Sequence, residues 1–190
     1  CNLFSEMINL NQEWIKPKKP VPIVIFGAGS IANDAHLPAY EKSGFRVLGI
    51  YDPDIEKAQN LATKFNLDIF HSLEEAIDQE NVIFDLATPP EVHTEILKFL
   101  PEKSGVLIQK PMGSNLDEAT KILEICNTRS LKAAVNFQLR FAPMMIALKD
   151  AINSGLLGTI VDFDAWLALD TPWSLWKFLE NLPRVEILLH

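Results

Sequence analysis

"PIVIFGAGSIA", residues 22–32, decides the fold. "PIVIF" (22–26) is a short run that is apolar throughout, the pattern of a strand buried on both faces. "FGAGSIA" (26–32) then turns the chain into a helix. At such a turn Gly27 permits the tight bend, Gly29 lets the backbone approach a phosphate, and Ala32 is small enough for close helix packing. Ser30 and Ile31 stand at the helix N-terminus, where unpaired N–H groups attract an anion. A glycine pair also serves ordinary turns, so the neighbouring segments decide what this one does.

Those segments repeat the alternation. "FRVLGI" (45–50), "DIF" (68–70), "VIFDLA" (82–87), "GVLIQ" (105–109) and "LKAAVNF" (131–137) read as further strands. Ile55, Ala58, Leu61, Ala62 and Phe65 recur at helical spacing, and "SLEE" (72–75) and "SNLD" (114–117) have the form of capping boxes. Apolar strands separated by helices predict an α/β fold: a doubly wound parallel sheet, covered on both faces and joined by right-handed crossovers. Ahead of it, residues 1–15 predict a short amphipathic helix, and "KPKKP" (16–20) a stiff, solvated linker. After about residue 138 the pattern changes. "FAPMMIALKDAINSG" (141–155) reads as a helix started by Pro143 and stopped by Gly155, and "TIVDFDAWLAL" (159–169) as an alternating strand of a mainly antiparallel sheet. The expected organisation is an extension and linker over 1–20, a dinucleotide-binding domain over 21–137, and the beginning of a second α/β (α+β) domain over 138–190.

Ligands of open α/β sheets bind at the carboxyl ends of the strands, and several chemically pointed residues fall there. Asp52 lies 23 residues after Gly29, near the spacing of about 20 at which a carboxylate accepts ribose hydroxyls. An acid there repels a 2′-phosphate, so NAD is expected before NADP, unless a nearby basic side chain reverses the preference. Asp54 is the expected cap of the next helix. "ATPPEVH" (87–93) places Thr88 and Pro89 in a stiff loop after the fourth strand, with His93 in a supporting position. Lys110 ends "GVLIQ" and is followed by Pro111, which ends the pairing. Held there, an ammonium can stabilise developing alkoxide charge; a lysine snorkelling from a strand end is the plainer reading.

A formal charge of −8, with 48% hydrophobic and 22% charged residues, describes a globular chain and argues against nucleic acid as main partner, local basic sites aside. Folding at this length buries roughly 70% of the unfolded surface, enough for a core without staples. Cys1 and Cys126 are too few for a disulfide framework or a zinc site, so no metal is expected and a reducing, cytoplasmic compartment is. No apolar run approaches the length of about 18 residues that a membrane span needs. A chain that opens on Cys1 and closes at His190 reads as a fragment or processed product.

"GAGSIA", Asp52, "ATPPEVH", "QKPMG" (109–113) and "NFQLRFAP" (136–143), in this order, resemble the Gfo/Idh/MocA family of nicotinamide-dependent oxidoreductases over about residues 21–190. The resemblance implies a Rossmann domain holding NAD, or NADP, against Gly27, Gly29, Ser30, Ile31, Asp52, Thr88, Pro89, His93, Gln109 and Lys110. It makes Lys110 the catalytic candidate. Gln109 departs from the family's Glu-Lys-Pro signature and removes a carboxylate that could pair with the lysine or hold a ribose hydroxyl. Asn136, Gln138 and Arg140 alternate and are expected on one strand face; Arg140 and His190 are the candidate substrate contacts, with Arg140 as readily an interdomain tie. The family's Asp-x-x-x-His acid/base motif is not completed before the chain ends. Small-molecule substrates of the sugar, polyol or cyclitol class, a homo-oligomer when full length, and little activity from this stretch alone are what the resemblance implies. A non-catalytic dinucleotide or sugar sensor is the alternative; an S-adenosylmethionine methyltransferase leaves Lys110-Pro111 without a purpose.

Overall fold

The computed structural model describes residues 9–166 and 168. Within it, Pro17–Asn136 forms one compact unit, and residues 9–16 with 137–166 belong to another.

The first unit is built on six strands: β1 (Ile23–Phe26), β2 (Val47–Tyr51), β3 (Asp68–Ile69), β4 (Ile83–Leu86), β5 (Gly105–Ile108) and β6 (Lys132–Val135). Their spatial order is β3-β2-β1-β4-β5-β6 and every pairing is parallel. The chain winds outward from β1 to β3, then returns to β4 on the other side of β1. Order therefore reverses between β1 and β4, where a crevice opens at the carboxyl ends of doubly wound sheets. Helices α1 (Leu37–Ser43), α2 (Ile55–Phe65), α3 (Leu73–Ile77), α4 (His93–Phe99) and α5 (Leu116–Thr128) connect the strands.

Two apolar clusters form because strand side chains alternate. Val24 and Phe26 pack with Phe84, Leu86, Leu97, Val106, Ile108 and Ile122. Ile23 and Ile25 pack with Leu37, Ile50, Ala58, Leu61 and Ala62. β1 is thus buried on both faces, as its unbroken apolar run predicts. Phe84 is almost wholly enclosed, so Phe84→Ala is expected to lower unfolding free energy by about 3–5 kcal/mol, read from the urea midpoint.

Local signals acted largely as read. Asp54 caps α2 by accepting from Lys57 N, Ser72 caps α3 by accepting from Glu75 N, and Asn66 ends α2 in the left-handed region at φ +54°. The cap of α5 moves by one residue from the predicted Ser114. Asn115 Oδ1 accepts from Glu118 N, while the Glu118 carboxylate accepts from Ser114 N.

In the second unit α6 (Pro143–Asn153) begins at the predicted proline, and Gly155 follows it at φ +74°. Of the helix predicted over 1–15, residues 1–8 lie outside the described residues and residues 9–15 are irregular; the latter hold to this unit through Asn11 N–H donating to Asp150 Oδ2 (2.8 Å) and through Trp14, edge-on to Phe141 at 5.2 Å. Two other expectations fail. "QLRF" is a 3₁₀ turn (Gln138–Phe141), so Asn136, Gln138 and Arg140 do not share a strand face. Residues 159–166 form no strand; their alternating pattern finds no partner strand among the described residues, and an unpaired strand leaves its backbone groups unsatisfied. The rest of that segment, with His190, lies outside the described residues. No helix among them is long and apolar enough to cross a membrane, and no group of His, Cys, Asp or Glu among them could hold a metal ion.

Candidate functional site

The turn after β1 is held tightly on its inner side and open on its outer side. Gly27 has φ +97°, and a β-carbon there would sit 2.6 Å from Ala87 O, so only glycine fits between the turn and the end of β4. Gly27 N–H donates to Tyr51 O (2.8 Å). Gly29 is the opposite case: a β-carbon would meet no heavy atom within 4 Å. That open space faces an exposed Gly29 and Ser30, with Ile31 half-buried behind them. The chain then enters a π-helical turn, Ala32–His36, before α1.

Asp52, just past the tip of β2, clamps this turn. Its Oδ2 accepts from Ala28 N–H (2.7 Å) and its Oδ1 from Asp54 N–H (2.8 Å). Each carboxylate oxygen retains a further acceptor site, so the same group that shapes the glycine turn can take hydroxyls from a ligand. Spacing alone suggested only the second of these roles.

Beyond β4, Thr88 Oγ1 is buried without a hydrogen-bond partner among the described residues, and Pro89 is exposed at the loop tip. His93 opens α4 with no exposed surface. Its Nε2 lies 3.1 Å from Thr88 O and its Nδ1 3.3 Å from Met112 O, so the ring sits between the loop after β4 and the segment after β5, and as a neutral imidazole it donates to one of these two carbonyls. Burial pushes its pKa down, which favours the neutral imidazole. With no exposed surface, His93 is packed among these loops rather than presented at the surface of the turn.

At the end of β5, Gln109 N–H donates to Leu86 O (3.1 Å), and Lys110 follows, half-buried, joined to Pro111 by a cis peptide. No carboxylate among the described residues pairs with Lys110, and burial lowers the pKa of its ammonium. Arg140 is exposed in the other compact unit.

A buried polar network went unread in the sequence. Asp85, wholly buried within β4, accepts at Oδ2 from His36 Nδ1 (2.7 Å) and from the Tyr40 hydroxyl (2.8 Å). Burial, then the charge and hydrogen bond of Asp85, push the Tyr40 phenol far above its ordinary value. Asn136 Nδ2 reaches both His36 Nε2 (3.2 Å) and Gln109 Oε1 (3.0 Å). The available signal was an aspartate inside the otherwise apolar "VIFDLA", since a buried carboxylate needs donors.

The open space over Gly29, the acceptor sites of Asp52 and the unpartnered Thr88 hydroxyl suit a dinucleotide lying across the switch point. Residues 21–137 match the family described as "Oxidoreductase family, NAD-binding Rossmann fold". Glucose-6-phosphate 3-dehydrogenase of Bacillus subtilis (strain 168) is 30% identical over 141 residues, 73% of this chain and 40% of that protein. Inositol 2-dehydrogenase of Rubrobacter xylanophilus is 29% identical over 153 residues, 77% of this chain and 43% of that protein. Among solved structures, the WlbA dehydrogenase of Bordetella pertussis, in complex with NADH and UDP-GlcNAcA, superposes with a TM-score of 0.61 at 22% identity, over 74% of this chain and 44% of that one. The chain thus spans about two fifths of the length of these relatives. It belongs to the Gfo/Idh/MocA oxidoreductase family, with residues 21–137 as the NAD-binding Rossmann fold.

Proposed function

We propose that this chain is the cofactor-binding part of a dehydrogenase that moves a hydride between nicotinamide and the carbinol or carbonyl carbon of a sugar, polyol or cyclitol. The observation that carries the reading is Lys110: a half-buried ammonium without a counter-ion among the described residues, at the carboxyl end of β5 and on the same sheet edge as the glycine turn. The nicotinamide cofactor supplies the hydride chemistry. The backbone at Gly27–Ile31 takes the pyrophosphate, Asp52 the adenosine ribose, and Thr88 and Pro89 flank the crossing between them and β5. Gln109 and Lys110 stand on the nicotinamide side. Lys110 polarises the substrate oxygen and stabilises its charge as an alkoxide develops, in surroundings with little water.

The named activities of the relatives support the substrate class, and the exposed Phe137, Phe141, Met144 and Phe163 support a homo-oligomer in the complete protein. A cytoplasmic site suits a chain with two cysteines, of which Cys126 is free and buried. More than half of each relative lies outside the match, so the 190 residues alone are expected to bind cofactor and turn over little.

The test is a screen of the complete protein for cofactor-linked turnover of sugars, sugar phosphates and inositols, followed by nicotinamide absorbance. Turnover of one class supports the reading. Tight NADH binding with no turnover of any would instead favour the sensor, which Gln109 in the place of the family's glutamate recommends. Asp52→Ala is expected to weaken NAD more than NADP, and to cost about 1–2 kcal/mol of stability through the lost bonds to Ala28 and Asp54. Equal loss of both cofactors would remove Asp52 from the ribose.

A further inference from the structure

Counting protons through the buried network gives its hydrogen bonds a direction. Asp85 Oδ2 accepts from the Tyr40 hydroxyl and faces His36 Nδ1 at 2.7 Å, so the His36 proton is on Nδ1. The other ring nitrogen and Gln109 Oε1 both face Asn136 Nδ2, at 3.2 and 3.0 Å. One amide NH2 carries two hydrogens and accepts nothing, so it serves both acceptors only when His36 Nε2 is bare. The ring is then the neutral Nδ1–H tautomer. Asn136 in turn holds the carbonyl oxygen of Gln109 inward, and the Gln109 NH2 is left without a partner among the described residues.

We propose that Asn136 is a positioning residue that fixes Gln109 as a hydrogen-bond donor toward the nicotinamide end of the dinucleotide. The position then takes an acceptor oxygen of the ligand, where a glutamate would take a hydroxyl. This rests on the dinucleotide reading above. Reversing one link reverses the rest: a ring protonated at Nε2 needs an acceptor from residue 136, and the Gln109 NH2 then turns inward. Asn136→Asp imposes that state, because it replaces the donor with a carboxylate facing both His36 and Gln109. Gln109→Met removes the outward donor while keeping similar bulk and leaving His36 and Asp85 in place.

The experiment uses the 190-residue chain with three readouts: nitrogen NMR of the His36 ring, and titrations with NADH and with ADP-ribose, which lacks the nicotinamide. The expected results are the neutral Nδ1–H tautomer in the wild type and an imidazolium in Asn136→Asp. Both variants should bind NADH roughly tenfold more weakly, the worth of one good hydrogen bond, and ADP-ribose as before. An imidazolium or Nε2–H tautomer in the wild type would overturn the proposal, as would equal weakening of both ligands or unchanged NADH binding by Gln109→Met. A wild-type chain that binds neither ligand sinks the dinucleotide reading, and this inference with it. A wild type that binds both beside an indifferent Gln109→Met sinks this inference alone.

Discussion

Lys110→Met in the complete protein is expected to lower turnover by roughly 10²–10³-fold, the loss that follows removal of one donor from a developing oxyanion. NADH affinity should change by less than about threefold, because the interaction is made with the reacting oxygen and grows only as that oxygen gains charge. Methionine keeps the length and apolar stem of lysine, so packing against the strand end is retained while the charge is lost. The pH profile carries a second signature. Burial lowers the ammonium's pKa, and no carboxylate among the described residues pairs with it to raise it again. The protonated, active form is present below that pKa and is lost as pH rises through it. The wild type should therefore lose activity on the alkaline side at a pH below the ordinary lysine range, and that limb should be missing from the residual activity of Lys110→Met. Steady-state kinetics across pH, with cofactor affinity measured separately, checks both parts. Retained turnover in the variant would return Lys110 to a strand-end lysine with a solvated head.

The glycine turn offers the second large effect, and its two glycines should fail in different ways. Gly27→Val places a branched side chain at φ +97°, with its β-carbon 2.6 Å from the carbonyl oxygen of Ala87, just past β4. Backbone strain and overpacking together cost roughly 2–6 kcal/mol, a large share of the stability of a domain this size. Urea unfolding should show the loss, and NADH binding should vanish with it. Gly29→Ala meets open space and has no left-handed backbone to strain, so the urea midpoint should hardly move. Its added methyl group nevertheless stands where the pyrophosphate must approach, and NADH affinity should fall at least about tenfold. Stability lost at one glycine and binding lost without stability at the other would separate a fold requirement from a ligand requirement. Two unaffected NADH titrations would make the pair ordinary turn residues.

The parts legible in the sequence are those with short-range causes. β1 reads as a strand because burial on both faces leaves it no polar position, and α2 reads as a helix because Ala58, Leu61 and Ala62 return to one face. Gly27, Asp52 and Lys110 could be placed because strand ends in a parallel sheet share an edge. The network around Asp85 was hidden by distance along the chain: His36 and Asp85 are 49 residues apart, and His36 and Asn136 are 100 apart. Its members also carry ambiguous local signals, since a histidine in a helix and an asparagine at a strand end have commoner uses. "QLRF" is ambiguous in sequence because four alternating residues fit a strand and a 3₁₀ turn about equally, and the structure has the turn. In "TIVDFDAWLAL" the alternation was present, but a strand is completed only by its neighbours, and residues 159–166 have none among the described residues.

A co-crystal structure of the chain with NADH tests the central claim most directly. The expected electron density runs across the sheet edge, with the pyrophosphate over Gly29, ribose hydroxyls on Asp52, and the nicotinamide beside Gln109 with the Lys110 ammonium turned toward its reactive face. A dinucleotide bound elsewhere, or a Lys110 ammonium directed into bulk water away from the ring, would contradict it.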